Sequence, residues 1–452
     1  MKKIFSNLKS WGKDVILKKV VGNSAYLFGS QAVSAVLSIL AANLLGVASF
    51  GALGVVISFV TNINRLLSFR MADFVVRYMG GFLAEDKRKE ASAVLKAAAL
   101  TELVTSLVAY GVLVLLSGWG ATTFAKDPTT RSLFLIYGIT ILGNMMTETA
   151  TGALQVTGHF RSQALLNMLQ SLLTAGLFVL VFINQGGIFS VMLVYLAGKM
   201  VLGIGPVLLA LYWLPKSLGK HWWRTPLRGN LPPFGPMARF AVSSNFSGTI
   251  TLVARDSEVL WVSYFFDTTV GGYFKVALAV INLMVMPITP FISTSFPEMT
   301  RHVVRKQWAQ LKQLLTRVTV ISGTWTGAVA AGLLLVGRQL LFSPWSLFGR
   351  TIYIYKEVYA PAYGVLLVIL IGFGIANIFF WDRSLLLAFG KAELPLKVSF
   401  FAMLGKVLLA FLIVPSLGYL AEAALFSAYF VVTVGVLVGR GVAEIRHQEL
   451  AQ

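Results

Sequence analysis

Three ionisable side chains, Arg255, Asp256 and Glu258, lie within four residues of one another in the otherwise apolar stretch Thr251–Ser263. A charge in the middle of a membrane span costs several kcal/mol, so such groups usually bind a ligand, carry an ion or pair with one another. Arginine can bind a phosphate group, and a carboxylate can accept hydrogen bonds from sugar hydroxyls. The cluster therefore indicates either a polar ligand site or a structural ion pair between Arg255 and Glu258.

The spacing of the polar residues around this cluster predicts one face of a continuous helix. Ser244, Gly248, Thr251, Arg255 and Glu258 are separated by 4, 3, 4 and 3 residues, which is the repeat of a single helical face. A polar face along a membrane span is expected to lie toward the interior of the helix bundle or a water-filled cavity.

Other apolar stretches carry polar faces or single bases of the same kind. The candidate substrate-binding residues, for phosphate or sugar, are Arg65, Lys199, Arg255, Lys275, Lys406, Asn62 and Gln31. The candidates for ion coupling or charge balance are Glu148, Asp256 and Glu258, and Glu148 shares a predicted face with Asn144, Thr151, Gln155 and Gly158. Polar stripes also form at helix–helix contacts, and Arg65 and Lys275 lie toward span ends, where they could extend to the interface.

The elements that must position these residues are membrane-spanning helices. The chain has 452 residues, of which 57% are hydrophobic and only 12% charged, and its mean hydropathy is +0.77. Apolar runs of roughly 20 residues recur along it, as helical spans require. We predict twelve spans between residues 21 and 439, the fourth at 132–156 and the seventh at 237–266. The predicted fold class is an all-α polytopic membrane protein.

The distribution of basic residues predicts the orientation in the membrane. Of the 38 Lys and Arg residues, 28 fall in segments on the side of the two termini and five on the opposite side. This asymmetry predicts cytoplasmic termini in a bacterial or archaeal cytoplasmic membrane. The net charge of +20 is then explained by topology and by contact with anionic lipid, and nucleic acid is not an expected partner.

The domain organisation follows from the longest polar break in the chain. It separates two groups of six predicted spans, and Gly51 and Gly271, in similar turns, are 220 residues apart. We expect two lobes related by a pseudo-twofold axis along the membrane normal. The predicted segments are an interfacial amphipathic helix (1–19), an N-terminal lobe (20–214), a cytoplasmic linker (215–236), a C-terminal lobe (237–440) and a cytoplasmic tail (441–452).

Several kinds of catalytic site are not expected. The chain contains no cysteine and only four isolated histidines, so we predict no metal site and no disulfide. It has neither a P-loop nor a G-x-G-x-x-G motif, and no segment outside the predicted spans is long enough for a soluble catalytic domain. The protein is predicted not to be an enzyme and to have no cofactor.

An ordered series of motifs along the chain resembles a known family. The motifs are "LGVASFGALGV", "VRYMG", "RDSEVLWVSYFFDTTVGGYFKVALAV", "PITPFISTSFPEM" and "LFGRTIYIY". In order and spacing they resemble the Wzx-type oligosaccharide (O-antigen or polysaccharide) flippases of the multidrug/oligosaccharidyl-lipid/polysaccharide exporter superfamily. Asp256 and the pair Gly272–Tyr273 stand where that pattern has Asp and Gly-Tyr.

The resemblance implies both an architecture and a function. The architecture is a V-shaped pair of six-helix lobes around a central cavity, with Arg65, Lys199, Arg255 and Lys406 as its basic residues. The function is alternating-access movement of polyprenyl-pyrophosphate-linked oligosaccharide from the inner to the outer leaflet for polysaccharide biosynthesis. The implied partners are this lipid-linked oligosaccharide, the bilayer and other polysaccharide assembly proteins. Coupling to protons, sodium or the membrane potential is left open.

Two other functions compete with this one. A cation-coupled multidrug exporter of the same superfamily would bind its substrate through acidic groups in the N-terminal half. A membrane glycosyltransferase or polysaccharide polymerase would need a large outer loop with catalytic carboxylates. The longest predicted outer segment, about 337–356, is short and contains no carboxylate, so the enzyme hypothesis is the weaker of the two.

Overall fold

The computed structural model of the protein describes Gly29 and residues 32–69, 71–347 and 350–450. The predicted interfacial helix 1–19 and the candidate residue Gln31 lie outside these residues. The described chain is almost entirely α-helical, and it also contains a short antiparallel hairpin of strands β1 (Trp345–Leu347) and β2 (Arg350–Ile352).

The helices follow one another with short connections. Those before the linker are α1 (Ala32–Leu45), α2 (Val47–Leu67), α3 (Met71–Ala84), α4 (Arg88–Thr123), α5 (Arg131–Gly143), α6 (Thr147–Val156), α7 (Phe160–Ile183) and α8 (Ile188–Leu218). Those after it are α9 (Phe234–Thr251), α10 (Glu258–Phe265), α11 (Thr268–Val285), α12 (Thr289–Val304), α13 (Trp308–Phe342), α14 (Ala362–Ile378), α15 (Asp382–Ala388), α16 (Glu393–Leu417) and α17 (Tyr419–Leu450).

Among the described residues, ten helical segments are long and apolar enough to cross a membrane. The sequence predicts twelve spans, and the structure shows why two of them are not among these ten. The first span is described only as the shorter apolar helix α1, and the seventh is interrupted between α9 and α10. The protein is therefore a multi-pass, all-α membrane protein, as its composition predicts.

The described chain divides into two compact units. The N-terminal unit comprises Val36–Gly272, and the C-terminal unit comprises the described residues from Tyr273 onward together with those before Val36. The seventh span, α9 and α10, therefore belongs with the N-terminal unit and not with the helices that follow it. The predicted division into lobes at the linker 215–236 differs from this grouping, and the pseudo-twofold relation stays a prediction.

The linker is packed onto the N-terminal unit. The Lys96 ammonium of α4 donates hydrogen bonds to the carbonyl oxygens of Trp223 and Thr225. Trp222 and Leu231 pack against an apolar cluster formed by α3, α4, α6 and α8. Aromatic residues of this kind are common at the membrane interface, where an apolar ring and a polar edge are both satisfied.

A close approach of two helices explains one of the glycines that the sequence alignment singles out. A Cβ atom at Gly51 of α2 would lie 1.7 Å from the carbonyl oxygen of Thr268, at the start of α11. No side chain can be accommodated at that distance from backbone, so the contact requires glycine. Gly51 and Gly271, which the sequence places in similar turns, thus lie near the starts of α2 and α11, and these two helix starts contact each other within the N-terminal unit.

Candidate functional site: a polar cavity in the N-terminal unit

The seventh span is broken where its charges lie. α9 ends at Thr251, a π-helical turn occupies Leu252–Asp256, and α10 begins at Glu258. A π turn contains one extra residue, which rotates the following side chains by about 100° relative to a continuous α-helix. The predicted continuous face from Ser244 to Glu258 is therefore wrong. Arg255 and Asp256 are exposed, whereas Glu258 is fully buried.

Two side chains satisfy the backbone at this break. The Ser257 hydroxyl donates a hydrogen bond to the Leu252 carbonyl oxygen at 2.8 Å, and the Trp261 indole N–H donates to the Val253 carbonyl oxygen at 3.2 Å. Hydrocarbon offers no water to free carbonyl groups, so a helix can open within a membrane only where such donors are present. Ser257 and Trp261 therefore belong to the structure of the break.

Two side chains of helix α2 contact the break in the seventh span. Asn62 donates from its side-chain amide to the Ser257 hydroxyl oxygen at 2.7 Å, and both residues are buried. One turn further along α2, an Arg65 guanidinium nitrogen lies 2.6 Å from a carboxylate oxygen of Asp256. Arg255 Nε is 3.9 Å from the other Asp256 oxygen. The structure thus brings together four residues that the sequence identifies as candidates: Asn62, Arg65, Arg255 and Asp256.

The fourth span is also broken, and a buried carboxylate caps the break. α5 ends at Gly143 and α6 begins at Thr147. The two Glu102 carboxylate oxygens, from α4, accept hydrogen bonds from the backbone N–H groups of Glu148 and Thr149, each at 2.9 Å. A carboxylate is favourable there because the first N–H groups of a helix lack partners within it.

This break corrects the sequence analysis in two respects. The predicted face that runs from Asn144 through Glu148 does not lie on one helix, since Asn144 follows α5 and Glu148 lies in the first turn of α6. Glu102, which caps the break, is not one of the candidate residues that the sequence identifies. The sequence indicates its importance only in that Glu102 is the single acidic residue within the apolar part of the third predicted span.

A polar cavity of about 250 Å³ lies among these helices. Two cations and two carboxylates line it, together with amide and hydroxyl side chains and the phenol of Tyr137. The main polar residues of the lining are Arg65, Lys199, Glu102, Glu148, Asn64, Asn144, Thr140 and Thr147. The cavity is called the α2–α8 cavity below, because Arg65 on α2 and Lys199 on α8 are its cations.

The charges in the α2–α8 cavity are not equally compensated. Glu102 accepts two backbone hydrogen bonds, and Arg65 is paired with Asp256. The accessible Lys199 ammonium makes no hydrogen bond or ion pair with any residue that the structure describes. The buried Asn64 side-chain oxygen likewise has no hydrogen-bond partner among the described residues. The cavity therefore offers one uncompensated cation, a second that can exchange its partner, and neutral hydrogen-bonding groups.

The remaining candidates lie elsewhere. Lys406 of α16 is 3.3 Å from Glu422 of α17, and these side chains are only 3% and 0% exposed. The Lys406 ammonium also lies 4.8 Å from the centre of the Phe426 ring. Lys275 is a half-buried residue of α11. Neither lysine lines the α2–α8 cavity, and substrate binding by either of them stays a prediction.

A multi-pass helical protein with a polar cavity within its membrane helices has the general construction of a membrane transporter. The comparison with protein families places it more closely: the chain belongs to the family described as polysaccharide biosynthesis protein, whose model matches residues 39–342. Inner membrane protein YghQ of Escherichia coli (strain K12) is 27% identical to it over 158 residues. That match covers 34% of this chain and 44% of YghQ, so it spans less than half of the relative's length.

Solved structures establish the fold. An inward-facing multidrug resistance MATE family transporter of the MOP superfamily superimposes with a TM-score of 0.73 at 13% identity, covering 93% of this chain and 95% of that one. The lipid II flippase MurJ, in an inward closed conformation, gives a TM-score of 0.71 at 15% identity, covering 95% and 90%. The family resemblance inferred from the motifs is thus confirmed at the level of family and fold.

Proposed function

We propose that the protein is a secondary transporter that moves a polyprenyl-pyrophosphate-linked oligosaccharide from the inner to the outer leaflet of the cytoplasmic membrane for polysaccharide biosynthesis. The observation that carries the proposal is the α2–α8 cavity, in which the uncompensated Lys199 ammonium and the Arg65 guanidinium face the same space. Two comparisons support it: the chain belongs to a polysaccharide biosynthesis family, and it shares its fold with the lipid II flippase MurJ.

The chemistry of the cavity suits a diphosphate joined to a sugar. Phosphate oxygens are strong acceptors for guanidinium and ammonium groups. Asn64, Asn144 and Thr147 offer amide and hydroxyl groups that match sugar hydroxyls. The cavity has a volume of about 250 Å³. It can hold the diphosphate and part of one sugar, so the rest of the oligosaccharide must extend beyond it.

Arg65 provides a mechanism by which binding can alter the helices. In the free protein its partner is Asp256, at the break in the seventh span. A substrate phosphate in the cavity competes with Asp256 for the same guanidinium, because one fork of donors serves both anions. Binding would then loosen the contact between α2 and the π-helical turn. We infer that this exchange is the first step from the bound state toward translocation.

The membrane potential provides a driving force for this direction of transport. Moving one elementary charge across 100 mV is worth about 2.3 kcal/mol, so outward movement of two negative charges is favoured by about 4–5 kcal/mol with a negative interior. The phosphates need a polar path because they are costly to place in hydrocarbon, whereas the prenyl chain can remain in lipid. Export therefore does not require a nucleotide-binding site in this chain.

The test is leaflet transfer of a fluorescent polyprenyl-pyrophosphate sugar in vesicles that contain the purified protein. Lys199→Gln and Arg65→Gln are expected to reduce the initial rate tenfold or more, since each removes a phosphate contact worth at least about 1.4 kcal/mol. Lys89→Gln is the matched control, because Lys89 is an exposed cation at the start of α4, outside the cavity. Wild-type rates in both cavity variants would remove the cavity from the mechanism.

A cation-coupled multidrug exporter remains the second candidate function. It is favoured by one specific observation, the presence of Glu102 and Glu148 in the lining of the same cavity. Such an exporter would move organic cations, with Glu148 as the accessible carboxylate for a proton or sodium ion. Dye efflux that depends on Glu148, together with no transfer of the lipid-linked sugar by the wild type, would favour the exporter over the flippase.

A further inference from the structure

A second cavity, in the C-terminal unit, is apolar along most of its length. It has a volume of about 430 Å³ and lies between α13 and α17, with Trp381 between them. Leu315 and Val320 of α13 form one wall, and Val442 and Ile445 of α17 form the other. We call it the α13–α17 groove. It has no part in the proposed transport site.

The groove lies beside a contact between α13 and α17. Leu315 and Ile445 belong with Trp381 to one buried apolar cluster, whereas Val320 and Val442 are exposed. α13 and α17 each pack against α14, and α17 also packs against α15. Trp381, the residue before α15, donates its indole N–H to the Thr319 hydroxyl at 2.7 Å. Its polar edge is therefore satisfied, and it offers the groove an apolar ring. An occupant of the groove must therefore present an apolar chain to these walls.

One end of the groove is basic. Lys312 near the start of α13 and Arg446 near the end of α17 both line it. The Lys312 ammonium is 2.6 Å from a carboxylate oxygen of Glu449, so this cation is largely compensated. The Arg446 guanidinium is exposed and makes no hydrogen bond or ion pair with any described residue. An occupant with an anionic group beside its apolar chain would complement this arrangement.

We propose that the α13–α17 groove is a binding site for an anionic phospholipid. One acyl chain lies against Leu315, Val320 and Val442, and the headgroup phosphate is bound by Arg446 at the mouth. Basic pockets between membrane helices bind anionic lipid headgroups in this manner. Because the groove has apolar walls and a cation at its mouth, its occupant must carry both an apolar chain and an anionic group. A phospholipid carries both, and it leaves the α2–α8 cavity free for the substrate's diphosphate.

The experiment uses the full-length, delipidated protein in detergent and phosphatidylglycerol that carries a photoreactive diazirine in one acyl chain. After irradiation, the label is expected on peptides that contain Val320 and Val442. Arg446→Gln should reduce this labelling at least fivefold. Arg440→Gln is the matched control, because Arg440 is an exposed arginine on the same helix that does not line the groove. It should label like the wild type.

A second variant tests the groove itself. Val320→Trp fills the space between the walls from an exposed position, so it should block labelling while the thermal midpoint without added lipid stays close to that of the wild type. Addition of phosphatidylglycerol should raise the midpoint of the wild type and of Arg440→Gln by several degrees. It should raise the midpoints of Arg446→Gln and Val320→Trp much less.

Two results would overturn the assignment. Equal labelling by a phosphatidylethanolamine probe of the same chain length would show that the groove does not select an anionic headgroup. Displacement of the phosphatidylglycerol probe by polyprenyl pyrophosphate, but not by unlabelled phosphatidylglycerol, would assign the groove to the substrate's prenyl chain. Neither measurement depends on transport, so the result is independent of whether the proposed flippase function is correct.

Discussion

Two pairs of opposite charges within the membrane helices differ sharply in their surroundings. The side chains of Arg65 and Asp256, beside the α2–α8 cavity, are 56% and 36% exposed, whereas those of Lys406 and Glu422 are 3% and 0% exposed. Both Arg65 and Lys406 are bases within predicted spans, and both are candidates for substrate binding on sequence grounds. Their surroundings separate the two roles.

The difference in exposure has a direct physical consequence. An exposed ion pair contributes little to stability, and its members can exchange partners at low cost. A buried pair contributes little net stability when intact, but loss of one partner leaves a charge without compensation in a medium of low polarity. We therefore assign Lys406–Glu422 to the integrity of the C-terminal unit, and Arg65–Asp256 to ligand exchange in the N-terminal unit.

The largest expected effect on stability is that of breaking the buried ion pair Lys406–Glu422. Lys406→Met should destabilise the protein by about 3–5 kcal/mol, because Glu422 would keep a buried carboxylate with no cation beside it. The double variant Lys406→Met/Glu422→Gln should recover most of this loss. Unfolding in detergent, followed by circular dichroism, measures both variants.

The control for this prediction lies on the same helix. Lys397 of α16 forms an exposed ion pair with Glu393 at 3.0 Å, and Lys397→Met should cost less than about 1 kcal/mol. The double variant should also retain the transport rate of the wild type per folded molecule. If it folds normally but transfers no lipid-linked sugar, Lys406 acts on the substrate and the proposed division of roles is wrong.

The next effect in size concerns the cap of the fourth span. Glu102→Gln should destabilise the N-terminal unit by about 1.5–3 kcal/mol, the range for a hydrogen bond to a charged group. The reason is that an amide can accept only one of the two backbone N–H bonds with its oxygen. Glu85→Gln, in the exposed connection between α3 and α4, is the matched control. Equal thermal midpoints for the two variants would contradict the capping role.

The breaks in the fourth and seventh spans are the parts of the fold that the sequence did not predict. Composition and apolar run length are enough for the membrane class and for the approximate positions of the spans. The continuous face from Ser244 to Glu258 assumed 3.6 residues per turn throughout. The π turn instead depends on contacts with α2, which lies almost 200 residues away in sequence. Local periodicity contains no information about such contacts.

The candidate site was predictable in its residue types but not in its grouping. The sequence identifies Arg65, Lys199 and Glu148 as costly or aligned polar groups in three different spans, and the structure shows that they line one cavity. The partner of Lys406 could not be deduced, because Glu422 lies on the next helix, 16 residues away. Which side chains meet across helices depends on how the helices pack, and one sequence does not give that.

A smaller effect is expected at the hydrogen bonds of the seventh-span break. Ser257→Ala removes the donor to the Leu252 carbonyl oxygen and the acceptor for the Asn62 amide. Hydrogen bonds between membrane helices contribute about 0.6 kcal/mol on average and at most about 1.7 kcal/mol, so a loss of about 1 kcal/mol is expected. Ser416→Ala is the control, because the exposed Ser416 hydroxyl bonds only to a carbonyl of its own helix. A loss no greater than that of the control would mean that the break does not depend on Ser257.

The smallest effect on stability is expected at Asp256, where the effect on transport should be clear. Asp256→Asn replaces the partner of Arg65 by a neutral amide, and the loss of an exposed pair should cost less than about 1 kcal/mol. The same change removes the anion that competes with the substrate for Arg65. The KM for the lipid-linked sugar should therefore fall, while the maximal rate falls as well, because binding no longer breaks a contact with the π-helical turn. Leaflet-transfer kinetics over a range of substrate concentrations measure both quantities. A raised KM would show that Asp256 assists binding, and the proposed exchange at Arg65 would then be wrong. Asp256→Asn is thus expected to lower the KM at nearly normal stability, whereas Lys406→Met is expected to lower the stability. This contrast would separate the exchangeable pair Arg65–Asp256 from the buried pair Lys406–Glu422 by experiment.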